Sequence, residues 1–433
     1  MKVKIRESKL EDIKERKIWV PYMCDNAFIV ASIFRRIGYE AGVLPRSNDP
    51  LLSLGRKYTD GDQCLPSIIT TEDILKRVYS PDFNPDKEAF FQGKSEGPCR
   101  FGRYYMNQRI ILDELGFDNV PIFTLDNRNN YEGLGAHIKL AGFTNLMSQS
   151  LLERKLHFTR PLEVTKGEAE KTYQKYLGKV CNEVEKGKDK GFLLNHIGII
   201  MNKHKEGLIK ILKEANEEFS RIKKREEEKP VIFVTGEIYV RNSSVANQNL
   251  IKKIEDLGGI ALLEPSIAFF LNVNQIKVIN YEKEFRSHNL KSIFDWMKCK
   301  VQQRVLDREE HDLSDILGFP PDPKAREVVE RGSSYVHPSY KGEAIVTLGG
   351  SEYFASQNNM IQGIVNAIPF NCMPGLIVVS KSNELRKSYN NLPFLNLSYD
   401  GHMNKARDEQ LEVFMYQVKE RFRNLKPAPA KCL

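Results

Sequence analysis

PVIFVTGEIYVRNSSVANQNLIKKIEDLGGIALL, residues 230–263, holds the pattern that decides the fold. Val231–Thr235 is an unbroken apolar run ending at Gly236, as expected for a strand covered on both faces. Asn247–Leu257 then shows the apolar spacing of an amphipathic helix and is stopped by Gly258–Gly259. Ile260–Leu263 is the next strand. Strand, helix and strand in so short a stretch predict parallel pairing with helices on the faces of the sheet.

The same rhythm runs through the N-terminal part. Strands are expected at Lys17–Met23, Glu40–Leu44, Ala89–Gln92 and Val120–Leu125. Helices are expected at Ala27–Ile37, Cys64–Val78 and Phe101–Leu115, the first and last stopped by Gly38 and Gly116. After residue 133 the strand signals vanish, and helical stretches run to the mixed-charge segment EANEEFSRIKKREEEKP and its closing Pro230. Beyond Leu263 we expect a helical insertion over Leu290–Leu317. Strands should follow at Ala344–Leu348, Gly363–Ile368 and Phe394–Leu397, then a docked helix at Ala406–Phe422. The organisation predicted is therefore α/β: a first parallel-sheet domain over 1–133, a helical connecting region over 134–229, a second α/β domain over 230–425, and a disordered tail over 426–433.

The chain has 433 residues, 41% hydrophobic and 28% charged, the balance of a globular protein with real cores. Its net charge of +8 is spread through mixed-sign surface, which argues against a nucleic-acid footprint. The most apolar stretch, Ile260–Val273, is broken by Glu264, Pro265 and Asn272, whereas spanning a bilayer takes about 20 apolar residues. The N-terminal MKVKIRESKLEDIKERK has no apolar leader segment, so a cytoplasmic location is expected. Seven cysteines in this length make no disulfide framework and suit metal or redox chemistry better.

Three of them share a setting. Cys64 in GDQCLPS, Cys99 in EGPCRFG and Cys372 in IPFNCMPG each lie within two residues of a proline, which stiffens the backbone and sets the direction of the thiol. Each falls where a loop should cross the carboxyl edge of a sheet, the place where open α/β sheets bind ligands. A helix N-terminus there favours thiolate over thiol and suits an anionic sulfide-containing cluster. Structural zinc usually takes close C-x-x-C pairs, and none is present. Single cysteines from separate loops point instead to iron–sulfur ligation between domains, with one iron left open. Three buried inert thiols are the alternative. Cys24, at the end of the first expected strand, is a fourth ligand candidate. Cys181, Cys299 and Cys432 read as ordinary helix or tail residues.

Several stretches taken together resemble the 2-hydroxyacyl-CoA dehydratase component superfamily. They are GRKYTDGDQCLPSIITTEDIL, SEGPCRFGRYYMNQRIILDELGFDNVPI, PVIFVTGEIYVR, HPSYKGEAI, PFNCMPG and FLNLSYDG. The likeness is nearest to the C-terminal module of large CoA-substrate-specific enzyme activases, which are related to benzoyl-CoA reductases and double-cubane proteins. It spans roughly residues 18–425 in order. The resemblance implies two flavodoxin-like α/β domains and a [4Fe-4S] cluster near their junction held by Cys64, Cys99 and Cys372. It also implies electrons from an ATP-hydrolysing activator with its own cluster, a small acceptor such as a CoA thioester, and a homodimer. Ser67 stands where the family often has a further cysteine, which disfavours a double-cubane cluster. No G-x-x-x-x-G-K-[ST] is present, so ATP hydrolysis would belong to the partner. A cluster-carrying relay or scaffold subunit and a metal-free α/β binding protein remain the alternatives.

Other residues are candidates by position. Glu237 and Arg241 follow the strand at 231–235, and Arg241 suits a phosphate or carboxylate, or a loop salt bridge. Arg100 and Arg103, beside Cys99, could offset cluster charge. His337 and His402 lie nearest the resembling motifs and could move a proton. Asp400 reads as a turn residue, and Tyr104, Tyr105 and Met106 as packing.

Overall fold

The computed structural model describes residues 8–46, 51–60, 63–95, 97, 99–126, 134–187, 205–284, 290–340, 342–357 and 359–425. The expected tail, 426–433, lies outside the described residues. In chain order the first unit contains β1 (Lys17–Val20), α1 (Asn26–Arg36), β2 (Ala41–Val43), α2 (Ser53–Tyr58), α3 (Leu65–Val78), β3 (Glu88–Lys94), a 3-10 turn (Arg100–Arg103), α4 (Tyr104–Glu114) and β4 (Ile122–Asp126). Helices follow: α5 (Ala136–Thr159), α6 (Glu168–Lys186) and α7 (Glu206–Arg221). The second unit contains β5 (Val231–Gly236), α8 (Ile238–Asn242), α9 (Leu250–Asp256), β6 (Ile260–Leu263), α10 (Ser266–Glu284), α11 (Leu290–Leu317), α12 (Ala325–Gly332), α13 (Ala344–Ser356), β7 (Gly363–Pro369), α14 (Met373–Ser388), β8 (Phe394–Tyr399) and α15 (Lys405–Asn424).

The fold is α/β, with two four-stranded all-parallel sheets among the described residues, ordered β2-β1-β3-β4 and β6-β5-β7-β8. Both have the flavodoxin-like order, in which the chain leaves the two central strands in opposite directions. A crevice therefore opens at the carboxyl ends of β1 and β3, and again at those of β5 and β7. Every residue of β5 is buried, which is why its sequence is a continuous apolar run rather than an alternation. At its end Gly236 has φ +121°, and an added Cβ would lie 2.2 Å from the Ala367 carbonyl oxygen of β7. No other residue can take that backbone so close to the next strand.

Two boundaries have clear causes. Strand β1 stops at Val20 because Pro21 has no amide for the ladder. Helix α9 starts at Leu250, later than expected, because Gln248 and Asn249 turn the chain with φ of 55° and 60°. One expectation is overturned: Ala344–Leu348 is the start of α13, not a strand. A short apolar run buried on all sides has no periodicity that separates strand from helix. Here the helix packs on β5, with the Phe354 ring 4.5 Å from that of Phe233.

Core placement joins parts that are distant in sequence. Leu152 of α5, Tyr173 of α6, Leu212 and Phe219 of α7, and Leu313 of α11 share one apolar cluster. The helices before β5 and the insertion after β6 thus pack together. A second cluster joins Leu65, Ile68 and Ile69 of α3 to Ile232, Val234, Tyr239 and Leu397 of the other sheet unit. Helix α3 is therefore wedged between the two sheets, and its N-terminal end reaches the β5–β7 crevice. Among the described residues no helix is long and apolar enough to cross a membrane.

Candidate metal centre

Cys64, Cys99 and Cys372 occupy equivalent local positions. Each is the residue that caps a helix N-terminus: Cys64 that of α3, Cys99 that of the 3-10 turn, and Cys372 that of α14. Their backbones are alike and extended, with φ/ψ of −74/149°, −71/134° and −71/113°. Pro66 and Pro374 sit in the first turns of α3 and α14, where a missing amide costs nothing. The proline context in the sequence is thus a helix-start signal, and it aims each sulfur at its own helix's unpaired amides. The Phe101 amide donates to Cys99 Sγ at 3.5 Å. The Ser67 and Gly375 amides pull the Cys64 and Cys372 thiols toward ionisation without making a full hydrogen bond.

The three loops meet. The Arg100 guanidinium, next to Cys99, donates to the Asn371 carbonyl, next to Cys372, at 2.9 Å. Cys64 and Cys99 act on each other electrostatically, as do Cys99 and Cys372, and all three feel the carboxylate of Glu237. Glu237 caps α8 and accepts from the Tyr239 and Val240 amides at 3.1 and 2.9 Å. Cys64 is 6% exposed and Cys372 7%. Burial, together with the charge of Glu237, pushes the Cys99 thiol up to about 12 and lifts those of Cys64 and Cys372 as well. Without a bound cation these thiols hold their protons at neutral pH, and a metal would displace them.

Residues read as packing, or not singled out, complete the surroundings. The hydroxyl of Tyr104 lies 2.6 Å from Cys64 Sγ. Burial holds that phenol far above its usual range, so Tyr104 keeps its proton and is the donor whenever the Cys64 sulfur is ionised. The Tyr340 hydroxyl is buried with no hydrogen-bond partner and lies within electrostatic reach of Cys372 and Cys99. The Ser67 hydroxyl, three residues past Cys64, is likewise buried and unpartnered. Glu343, whose charge acts on Cys99 and Cys372, is pushed up to about 8 by burial and by Glu237 and Glu264, against the pull of Arg241. Tyr340 and Glu343 both lie in HPSYKGEAI, so a signal for them existed at the level of the motif.

The other candidates are distributed differently. Arg241 is 1% exposed and fully engaged, pairing with Glu343 at 2.9 Å and Glu264 at 3.2 Å and donating to the Gly236 and Pro265 carbonyls. It is a buried ion-pair hub with nothing left for a ligand. Arg103 points to the Met106 sulfur at 3.6 Å on the surface. His337 is exposed and bonded to Ser339. His402 is exposed, with its carbonyl taken by Arg407 and Gln248. Asp400 closes a turn by accepting from the His402 amide at 3.0 Å. Cys24 has other neighbours: Glu153, Asp25 and the Ser266 hydroxyl. The structure therefore groups three of the four candidate sulfurs.

By its chemistry the donor set is of the kind that could hold a three-thiolate cluster. Sulfurs from three helix N-termini are backed by amide dipoles, by one donated phenol and by two unpartnered hydroxyls nearby. Among the described residues no three His, Cys, Asp or Glu side chains close up as around a single metal ion. A polynuclear cluster spreads its ligands over a wider core than one ion does. Comparison with known proteins returns no matching family model and no matching curated relative.

Proposed function

We propose that Cys64, Cys99 and Cys372 hold a [4Fe-4S] cluster between the two α/β units, in an iron–sulfur redox protein of the 2-hydroxyacyl-CoA dehydratase/reductase type. Low-potential electrons would come from an ATP-hydrolysing activator with its own cluster. They would leave to a small acceptor, with a CoA thioester as the candidate class, in a cytoplasmic setting that keeps thiols reduced. The single observation supporting this is the convergence of three helix-capping thiols, from loops far apart in sequence, around the carboxylate of Glu237.

When bound, such a cluster supplies one-electron transfer and, with three thiolates, an iron open to a small molecule. The protein's own residues tune and complete the site. Tyr104 donates its O–H to the Cys64 sulfur, and the first-turn amides of three helices point at the thiolates. Both effects favour added negative charge. Glu237 is buried and has its carboxyl raised above the usual range, so it is suited to hold a proton at Oε1 or Oε2 beside the acceptor. The Tyr340 hydroxyl, unpartnered and within electrostatic reach of Cys372 and Cys99, is a second candidate donor.

The test is iron and acid-labile sulfide analysis of anaerobically purified protein. We expect about four irons per chain. Cys64→Ala, Cys99→Ala and Cys372→Ala each lose them, and Cys24→Ala retains them. Iron-free wild-type protein after anaerobic reconstitution, or full iron in any of the first three variants, refutes the proposal. An EPR spectrum of the reduced protein that shifts on adding a CoA thioester marks an enzyme, whereas an unmoved spectrum marks a relay subunit.

A further inference from the structure

A second site lies beside Tyr22, whose carbonyl accepts from the Tyr239 hydroxyl. A cavity of ≈ 140 Å³ opens where the loop after β1, helices α5 and α6, and residues 242–252 come together. That volume accommodates about six non-hydrogen atoms. Its walls include Tyr22, Asp25, Glu153, His157 and Tyr173.

Its chemistry is lopsided toward acceptors. Asp25 takes the hydroxyls of Tyr22 at 2.7 Å and Tyr173 at 2.8 Å, plus Arg46 at 3.1 Å. Glu153 has no such partner: among the described residues its one hydrogen bond is from the Gln149 amide at 3.2 Å, and no cation there pairs with it. The Arg160 guanidinium, whose charge acts on Glu153, is spent on Glu255 and Glu170 at 2.6–2.9 Å. One helical turn from Glu153, His157 is 4% exposed and its Nδ1 lacks any partner. The Gln149 carbonyl, one turn on the other side, is also unpartnered. Burial first, then Arg160, holds the His157 imidazole neutral, so Nδ1 can accept. Two tyrosine rings beside two carboxylates are the elements that recognise an organic cation.

We infer that this cavity binds a small organic cation, an alkyl ammonium of about six non-hydrogen atoms, whose N–H groups take Glu153 and His157 Nδ1 while its carbon chain lies along Tyr22 and Tyr173. The site is independent of the cysteine centre. In its ligand-free form Glu153 is neutralised by a proton instead, its carboxyl pushed up to about 8 by burial and by Asp25. Gln149, Arg160 and Glu170 face it from α5 and α6, and Tyr173 from α6; Cys24 lies on the β1 side, Arg46 at the mouth and Lys252 on the α9 wall. Binding an ammonium exchanges that proton for the ligand's charge. Apparent affinity then rises about tenfold per pH unit below about 8 and levels above it.

The test is calorimetric titration of the whole protein with 1-butylamine, with butan-1-ol as the neutral isostere. We expect the amine to bind and the alcohol not to, release of close to one proton per amine at pH 7 read from the buffer dependence of the heat, and at least a tenfold loss of affinity in Glu153→Gln. Absence of amine binding, equal binding of the alcohol, or unchanged affinity in Glu153→Gln overturns the inference. If that variant does not fold, the wild-type proton count decides, and binding without proton release overturns it.

Discussion

Replacing Arg241 by methionine tests how the charge beside the cysteines is held. The guanidinium is 1% exposed and lies among three buried carboxylates, with Glu343 at 2.9 Å, Glu264 at 3.2 Å and Glu237 close enough to act on it. Methionine keeps most of the apolar stem and removes the charged head. Breaking a buried pair from one side typically costs about 3–5 kcal/mol, because the partner charge is left uncompensated. The cost depends on pH, and its sign follows from the carboxyls. Glu343 is raised by burial from the model-peptide range to about 8 in the folded protein. A carboxyl raised in the folded state contributes stability that is full below the unfolded pKa and is lost as pH rises through the folded one. Wild type therefore loses this contribution up to about pH 8 and then levels. Without Arg241 the carboxyl rises further, and the variant goes on losing stability above that point. The penalty thus grows by about 1.4 kcal/mol per pH unit for each carboxyl that is protonated in the variant but ionised in wild type. Urea unfolding at pH 6 and pH 9, followed by tryptophan fluorescence, measures both. We expect a penalty of about 2–3 kcal/mol at the lower pH and about 4–5 kcal/mol at the higher. A penalty under about 1 kcal/mol, or one that shrinks with rising pH, refutes the assignment of Arg241 as a buried hub.

Gly236→Ala places a Cβ 2.2 Å from the Ala367 carbonyl oxygen on a backbone of φ +121°, so we expect at least about 3 kcal/mol of destabilisation. Gly38→Ala, with φ +94° and open space around it, should lose only about 1 kcal/mol in the same denaturation assay, and equal losses would contradict the close-approach argument. On the proposed [4Fe-4S] cluster, Tyr104→Phe removes the phenol hydrogen-bonded to Cys64 and should leave iron content unchanged while moving the reduction potential to more negative values, as followed by EPR-monitored titration. Lys205→Met removes a buried cation that pairs with Glu309 at 3.0 Å and Asp312 at 2.7 Å and leaves Glu309 with the longer Arg308 contact, which should cost about 3 kcal/mol in urea unfolding; a loss under about 1 kcal/mol would contradict the buried-pair reading.

Much of the local structure is legible in the chain because it depends on near neighbours. The apolar run Val231–Thr235, the stops at Gly38, Gly116 and Gly258, and the heptad-like spacing of Leu411, Phe414, Met415 and Val418 each act within a few residues. The proline beside Cys64 likewise marks a helix start by removing an amide that a first turn does not use. Ala344–Leu348 misleads for the complementary reason: once every side is buried, apolar character no longer reports a period, and only the packing of Phe354 on Phe233 selects the helix.

What the sequence settled by itself was the α/β class, the parallel pairing and the helix starts at Cys64 and just after Cys99, since each of these follows from residues a turn or a strand apart; that Cys372 also begins a helix came from the structure. Tertiary structure alone decided which groups meet. It set Cys64, Cys99 and Cys372 around Glu237 and turned Cys24 toward Glu153; it closed Arg241 into an ion-pair hub and brought Tyr104, Tyr340 and Glu343 to the sulfurs. Those meetings depend on strand order and on α3 wedging between two sheets. No periodicity records them, because the partners are separated by tens to hundreds of residues and are joined only when distant apolar faces are buried against each other.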